Sequence, residues 1–570
     1  MSLLLGIDVG TSSTKAIVID TSGGVRGVAS AAHPLAQPRP GWTEQNPADW
    51  WRSSCQAIRA AIANAGLAPG ERIMGVGCSG QMHGSVFLDE RAAPGVEPSP
   101  EAVVRPALLW NDQRTADQCQ QIERRFSDDP ATARAALVRE AGNAALTGFT
   151  LPKLLWLREH ERANFARTRR LLLPKDFIRW MLTGVIATDV GDASGTLLLD
   201  VDHRDWSPRL LRAFDIDQGL LPPVLESASV AGAITTSAAQ LTGLAEGTPV
   251  IVGSGDNMTG AVGAGIVEPG MVLVTLGTSG VVYAHAPQPR RDLADPRQPG
   301  RLHTMCAADG GCAADGGLAS AGILQAAEPR HARGSWCVTG CMLSAAGSLA
   351  WCRESLCPEA SYDTLLEEAA RVPPGSQGLV FLPHISGERC PHPDPLARGA
   401  LVGLSSAHGR GHVVRAVIEG VCFTMRDILD LVRASGIEVQ RVRIGGGGAK
   451  SDLWRRILAD VLEINLESTN TEEGPALGAA LLAGVGVGTW PSVAHACAQT
   501  ITTTDVCRPH AALTSYEPSR SVAKGLYATL RQSFAKLAGG VETSANDTSA
   551  SESIEPFADA PSATRPSHLT

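Results

Sequence analysis

The apolar positions of this chain repeat one arrangement in each half. Near the start, an apolar run of strand length from Leu3 to Val9 breaks at Gly10-Thr11-Ser12 and resumes from Ala16 to Ile19. Near the middle, Met271 to Leu276 breaks at Gly277-Thr278-Ser279 and resumes from Val281 to Ala284. Two apolar runs around a short glycine-containing break predict a β-hairpin. A Gly-Thr-Ser tip exposes backbone N–H groups and two hydroxyls with no bulky side chain in front of them, a concavity suited to phosphate oxygens. Most glycine-containing hairpins are only turns. Two copies, one per half, predict two similar domains presenting phosphate loops to a shared cleft.

Between the hairpins strand-like and helix-like stretches alternate, as in an α/β domain. Ile73 to Cys78 reads as a buried strand, and Trp50 to Ala63 has apolar residues at helical spacing. Pro222-Pro223 and the small-residue stretch from Ser227 to Ala238 lead to a second α/β run at Pro249-Val250-Ile251-Val252, which places a domain boundary near residue 254. The expected division is 1–254, 255–510, a C-terminal helix over 511–540 and a tail over 541–570. That tail is Ser/Thr/Ala/Pro-rich with scattered acids, a composition that predicts disorder. Two further segments read as additions. Arg91 to Pro106 predicts a surface loop. Within about 306–334 the hexapeptide Cys-Ala-Ala-Asp-Gly-Gly occurs twice in tandem, from Cys306 and from Cys312, which predicts a slippage insertion rather than a folded unit.

A length of 570 residues exceeds a single core and fits two domains. The formal charge of -9 argues against nucleic-acid or anionic-membrane partners. No run reaches the roughly 18 uninterrupted apolar residues of a membrane span, and the apolar start lacks the basic flank and cleavage site of a signal peptide. Thirteen cysteines, an odd number without a CxxC pair, predict reduced thiols in a cytoplasmic protein. A homodimer is left open.

Four stretches carry candidate chemistry. Gly253-Ser254-Gly255-Asp256-Asn257 sets a carboxylate at the end of a strand among glycines, a position for a general base; an Asp there equally suits an Asx-turn or a helix cap. Ser79-Gly80-Gln81-Met82-His83-Gly84 offers hydrogen-bonding groups for sugar hydroxyls and an apolar wall, though a lone loop histidine is commonly only that. Trp110-Asn111-Asp112-Gln113-Arg114 adds a stacking surface and polar groups, with Trp110 equally suited to the core. Gly445-Gly446-Gly447-Gly448-Ala449-Lys450-Ser451 joins an alternating strand to a helix starting near Asp452, where a nucleotide can lie against the backbone. Its spacing is neither that of a Walker A loop nor GxGxxG. The pair His408 and His412 lacks an intervening Glu and a third ligand, and the cysteines from 306 to 357 do not fit a structural zinc site.

Taken in order, these pieces resemble the FGGY carbohydrate kinases from about Leu4 to about Trp490. The match continues through Phe381-Leu382-Pro383, Gly387-Glu388-Arg389, Pro391-His392, Asp394-Pro395, Ala397-Arg398-Gly399 and Glu473-Gly474 before Gly478-Ala479-Ala480. The resemblance implies an α/β fold of two actin-like, ribonuclease-H-like ATPase domains flanking a central cleft. It implies ATP-dependent phosphorylation of a sugar, with the Gln81-Met82-His83-Gly84 signature pointing to a ketopentose. Asp256 would accept the proton, and Asp8 would sit near Mg²⁺, chiefly through water. Gln81, Met82, His83, Trp110, Asp112, Arg114, Asp256 and Asn257 would contact the sugar. Thr11, Ser12, Gly277, Thr278 and Ser279 would face the phosphates of ATP, with Gly447, Gly448, Ala449, Lys450 and Ser451 at the adenosine. The alternatives are another sugar or polyol kinase of the family, or an inactive sugar- or nucleotide-binding regulator on the same fold. His384, Cys390 and Met258 depart from the family pattern, in which the first two are usually Tyr and Thr and the third is small.

Overall fold

The computed structural model describes residues 2–94, 102–310, 334–471, 473–510 and 513–546. Its first sheet begins with strands β1 (Leu3–Val9), β2 (Ser13–Asp20) and β3 (Val25–Ala32), followed by helix α1 (Pro47–Asn64) and strand β4 (Gly75–Gly80). After helices α2 (Thr150–His160) and α3 (Pro174–Thr183) it is completed by β5 (Val230–Ala233), β6 (Pro249–Ile251) and the short β7 (Ser254–Gly255). Helix α4 (Asp256–Gly263) leads to the second sheet, which starts with β8 (Met271–Leu276), β9 (Gly280–Ala286), β10 (His303–Cys306) and β11 (Trp336–Met342). Helices α5 (Ala346–Leu356) and α6 (Arg410–Ala434) precede β12 (Arg441–Gly445). The chain then runs through α7 (Asp452–Leu462), β13 (Leu466–Thr469), α8 (Gly474–Gly486), β14 (Thr503–Cys507) and α9 (Glu517–Asn546).

Both hairpins form as their pattern predicts. Val9 pairs with Thr14 across the first tip, and Leu276 pairs with Gly280 across the second. The likeness extends through both sheets. From one edge the first runs β3–β2–β1–β4–β6–β5, and the second runs β11–β9–β8–β12–β13–β14 with β10 added outside β11. In each, two antiparallel pairings are followed by two parallel pairings and a final antiparallel one. Parallel strands must be buried on both faces. Leu4, Leu5, Ile7, Val76, Val272, Val274 and Val442 are accordingly shielded from solvent.

Helix α8 comes from late in the chain yet packs on the first sheet. Cβ atoms added to Gly6 and Gly77 would meet the carbonyl oxygens of Ala476 and Ala479 at 1.9 Å, so only glycine admits the helix. On its other side Gly478 lies equally close to the Thr259 carbonyl of α4. Residues 476–485 are consequently buried all round, which explains why this stretch is apolar on every face rather than amphipathic.

Several expectations need correction. The strand expected at 73–78 occupies 75–80, because Met74 donates its N–H to Leu3 outside the ladder. The segment 91–106 is not all surface loop: Ala102, Val103 and Val104 are buried, and Val103 bridges to Leu88. Residues 306–310 of the first Cys-Ala-Ala-Asp-Gly-Gly copy are folded. Cys306 ends β10 and pairs with Trp336, Ala307 and Ala308 are buried, and Asp309 accepts from His285 at 2.9 Å. The second copy lies outside the described residues. The C-terminal helix expected over 511–540 spans Glu517–Asn546, so the expected tail begins six residues too early; its remainder lies outside the described residues. This helix docks through Tyr527 and Phe534 against Leu382 and Ala397. Tyr527 also stacks on His392 and donates to Asp394 at 2.9 Å. Among the described residues no helix is long and apolar enough to cross a membrane.

Candidate active site

Asp256 is the first residue of α4, so the helix-start position left open by the sequence is real. Its carboxylate is not consumed by capping: Oδ1 is buried and has no hydrogen-bond partner. Burial, followed by the neighbouring Asp8 carboxylate, raises its pKa to about 7. Asp8, near the end of β1, is itself pushed above the usual carboxylate value by burial, against the opposing effects of Ser79 and Lys15. Ser79 Oγ donates to Asp8 Oδ1 at 2.8 Å and shares a 2.7 Å hydrogen bond with Thr259 Oγ1, one turn along α4 from Asp256. Ser79 and Thr259 thus carry a hydrogen-bonded path from the Asp8 carboxylate to the start of α4, where Thr259 Oγ1 lies 3.0 Å from the Gly255 carbonyl; nothing in the sequence singled out Thr259.

Met82 and His83 stand beside this pair. Met82 packs so closely on Gly255 that a Cβ there would lie 2.5 Å from its Cγ, and Asn257 reaches its sulfur at 3.6 Å. Met258 is wholly buried beneath the base, against Gly191. His83 has φ 66, a left-handed conformation uncommon outside glycine. That conformation is held because Lys153 Nζ and Thr150 Oγ1, both on α2, donate to its carbonyl at 2.8 and 3.3 Å. Burial pushes the Lys153 pKa well below the usual lysine value. Burial, then Lys153 and Arg389, likewise push His83 well below 6.5, so its ring is neutral at pH 7. Nδ1 lies 3.1 Å from the Gly195 carbonyl, which can only accept. Nδ1 therefore carries the proton, and Nε2 presents a lone pair.

The first phosphate loop is held from below. His33 Nε2 contacts Gly10 O at 3.1 Å, and Gln45 Nε2 donates to Thr11 O at 2.7 Å. Thr11 Oγ1 donates to Gln81 Oε1 at 3.2 Å and accepts from Trp110 Nε1 at 3.1 Å, while Ser12 is exposed. Gln81 Nε2 donates to Gln45 at 2.9 Å. Gln81 and Trp110 therefore carry the loop, a different role from the direct sugar contact expected of them. Asp112 and Arg114 also depart from expectation. Both side chains are fully buried and paired at 2.8 Å; Asp112 accepts from Thr43 N at 2.7 Å, and Arg114 reaches Glu44 at 2.8 Å. The Arg114 guanidinium lies over the rings of Trp42 and Trp156 at 3.8 and 4.9 Å. The charges of Asp112 and Arg114 are directed at each other, at Glu44 and at the two tryptophans.

In the second lobe the loop Gly277–Ser279 receives N–H groups at its carbonyls: Ala345 and Gly347 donate to Thr278 O, and Ala346 donates to Gly277 O. This leaves the Thr278 side chain exposed. The glycine turn sits against the same loop. Gly446 has φ 85, and a Cβ on it would lie 2.7 Å from the Leu276 carbonyl carbon. Gly447 is open, Gly448 is buried on Leu276, and Ala449 and Lys450 complete a 3₁₀ turn. Ser451 caps α7 by accepting from Trp454 N at 3.3 Å. Loop and glycine turn thus form one continuous surface, on which Gly447 and the Thr278 side chain are open. Among the described residues no three His, Cys, Asp or Glu side chains converge as a metal cage. Asp8 and Asp256 are paired oxygen donors with one orphaned oxygen. They fit a cation such as Mg²⁺ that keeps most of its shell as water and phosphate.

Beneath the base lies a buried charge cluster. Lys175 Nζ is 2.6 Å from Asp176, 3.0 Å from Asp189 and 3.7 Å from Asp192, all of them fully enclosed. Asp189 also accepts from Ser254 Oγ at 2.6 Å, two residues before Asp256.

Comparison with known proteins agrees with this geometry. The FGGY family of carbohydrate kinases matches through its N-terminal domain over residues 3–263 and its C-terminal domain over residues 272–487. Xylulose kinase of Bacillus subtilis (strain 168) is 36% identical over 500 residues, covering 88% of this chain and 91% of that protein. Xylulose kinase of Escherichia coli (strain K12) is 34% identical, covering 93% and 99%. The crystal structure of xylulose kinase from Rhodospirillum rubrum superposes with a TM-score of 0.78 at 29% identity, covering 93% and 99%.

Proposed function

Because this chain belongs to the FGGY family of carbohydrate kinases, we propose that it phosphorylates D-xylulose to D-xylulose 5-phosphate with ATP, Asp256 acting as general base. The observation that carries the mechanism is the unpartnered Asp256 Oδ1, on a carboxyl whose pKa of about 7 suits proton transfer near neutrality. The names of the curated relatives support the choice of sugar.

In this reading Asp256 draws the proton from a primary hydroxyl, which attacks the terminal phosphorus in line. Bound Mg²⁺ would neutralise phosphate charge beside Asp8. The Thr11–Ser12 and Thr278–Ser279 tips hold phosphate oxygens with backbone N–H and hydroxyl groups, and Gly447 to Ser451 shape the adenosine site. Met82 closes the apolar side of the sugar. His83 Nε2 accepts from one of the sugar's hydroxyls.

A coupled assay of ADP release across pentuloses, hexuloses and polyols tests the assignment. D-xylulose should have the highest kcat/KM; a higher value for a hexulose or polyol overturns the choice of sugar. His83→Ala should raise the sugar KM roughly 5- to 30-fold, the loss of one hydrogen bond to a bound hydroxyl, with the KM for ATP little changed. Equal increases in both would mean that His83 serves lobe closure rather than recognition.

A further inference from the structure

The segment after β11 ties Arg389 to the second phosphate loop. Glu388, buried, accepts from Leu343 N at 3.0 Å and Arg389 N at 2.8 Å through one oxygen, and contacts His384 Nδ1 at 2.7 Å through the other. Leu343 is two residues before Ala345, whose N–H holds the loop carbonyl of Thr278. The next residue, Cys390, packs its sulfur on Gly340 of β11. Arg389 is therefore held by its backbone at the root of that loop.

Its side chain is treated differently. The residue is half-buried, and its guanidinium has no carboxylate, carbonyl or ring partner among the described residues. Other basic groups around the site are engaged: Lys15 with Glu473 at 2.9 Å, Arg114 with Asp112 and Glu44, and Lys153 with two carbonyls. The Arg389 charge is felt on one side by His83, His303 and Lys153 and on the other by Cys341 of β11, whose thiol is also influenced by Ser279 of the loop. His303 lies across Phe149 from His83, with ring centroids 5.5 and 4.5 Å from that phenyl ring. Both its nitrogens are buried without partners. Burial holds its pKa at about 3, so it brings no competing charge. The guanidinium, on a backbone tied to the root of the phosphate loop, is thus within electrostatic reach of the sugar wall of one lobe and of that loop in the other.

We propose that Arg389 is a catalytic residue whose guanidinium binds the oxygens of the phosphoryl group as it passes from ATP to the sugar. This rests on the phosphotransfer reading above. The bond from phosphorus to the ADP oxygen breaks as the bond to the sugar oxygen forms, the hydroxyl proton goes to Asp256, and Arg389 takes no part in the proton transfer. Planar, forked N–H groups match phosphoryl oxygens, and charge spread over those oxygens is what such a donor stabilises.

The test uses the full-length enzyme with whichever sugar the panel ranks first. Arg389→Ala should lower kcat roughly 10²–10³-fold, with sugar KM and ADP Kd changed less than about threefold. Added guanidinium ion should restore part of the lost kcat, and Arg389→Lys should fall between wild type and Arg389→Ala. A raised sugar KM with kcat retained would make Arg389 a sugar-binding group and overturn the proposal. So would a kcat within about threefold of wild type, or a lowered melting temperature without guanidinium rescue. A wild-type enzyme that phosphorylates no sugar in the panel would instead refute the kinase reading, before any variant is compared.

Discussion

Asp256→Asn should lower sugar-dependent turnover roughly 10²–10⁴-fold while sugar and ATP still bind. The substitution keeps the shape of the carboxyl and removes only the proton acceptor. Its pH behaviour provides a second check. A base must be ionised to work, and Asp256 has a pKa of about 7. Wild-type kcat/KM should therefore fall as pH drops below about 7, and the residual activity of Asp256→Asn should lose that limb. Stability should move the opposite way. The folded pKa lies above the ordinary 3.8, so between about pH 4 and pH 7 the folded state holds a proton that the unfolded chain has lost. Wild-type stability from this residue is greatest below that window and declines as pH rises through it. Asp256→Asn removes the decline, so its melting temperature should exceed that of wild type at pH 8. Turnover near wild type in a folded Asp256→Asn variant would sink the assignment.

The second large effect belongs to Lys175. Burial disfavours its ammonium, but Asp176, Asp189 and Asp192 outweigh burial and hold its pKa above the ordinary value. Asp192 is pushed far above the carboxylate range by burial, with Asp189, Asp176 and Asp256 adding to the shift and Lys175 opposing it. Lys175→Met would fit the volume and leave Asp189 and Asp192 without their cation, with Arg179 still 3.6 Å from Asp176. Stranding buried charges in this way costs about 3–5 kcal/mol, which should appear as a lower urea midpoint. Adding Asp192→Leu should recover part of the loss, because the double variant buries one carboxyl fewer. A Lys175→Met midpoint equal to wild type would show that water reaches the cluster. Turnover should fall as well, since Asp189 holds Ser254 two residues from the base.

How much of this was legible in the sequence depended on range. The hairpins were legible because their signal is local: alternating runs, a glycine tip and two small hydroxyl residues. Asp256 stood out for the same reason, at the end of an apolar strand among glycines. Met82 and His83 belong to one local motif, but the reason His83 can adopt φ 66 lies seventy residues on, in Lys153. Asp112 and Arg114 misled because a polar motif reads the same whether its charges face a ligand or each other. Gln81 and Trp110 misled similarly, their partners Gln45 and Thr11 being distant in the chain. Cys306 to Gly310 read as insertion because tandem repetition is a property of composition. The pairing of β10 with β11, which folds it, is a property of space.

The seat of α8 on the first sheet bears on how the protein is made. The groove over Gly6 and Gly77 is filled by Ala476 and Ala479, residues that leave the ribosome long after the strands they cover. At roughly 5–20 residues per second, the nascent N-terminal lobe must wait on the order of tens of seconds with a bare backbone channel on one face. During that interval it is a target for proteases and a client for chaperones that bind extended apolar chain. Separating the gene at the boundary between the lobes should accordingly give an N-terminal product that is captured or degraded, even though its own strands are all present.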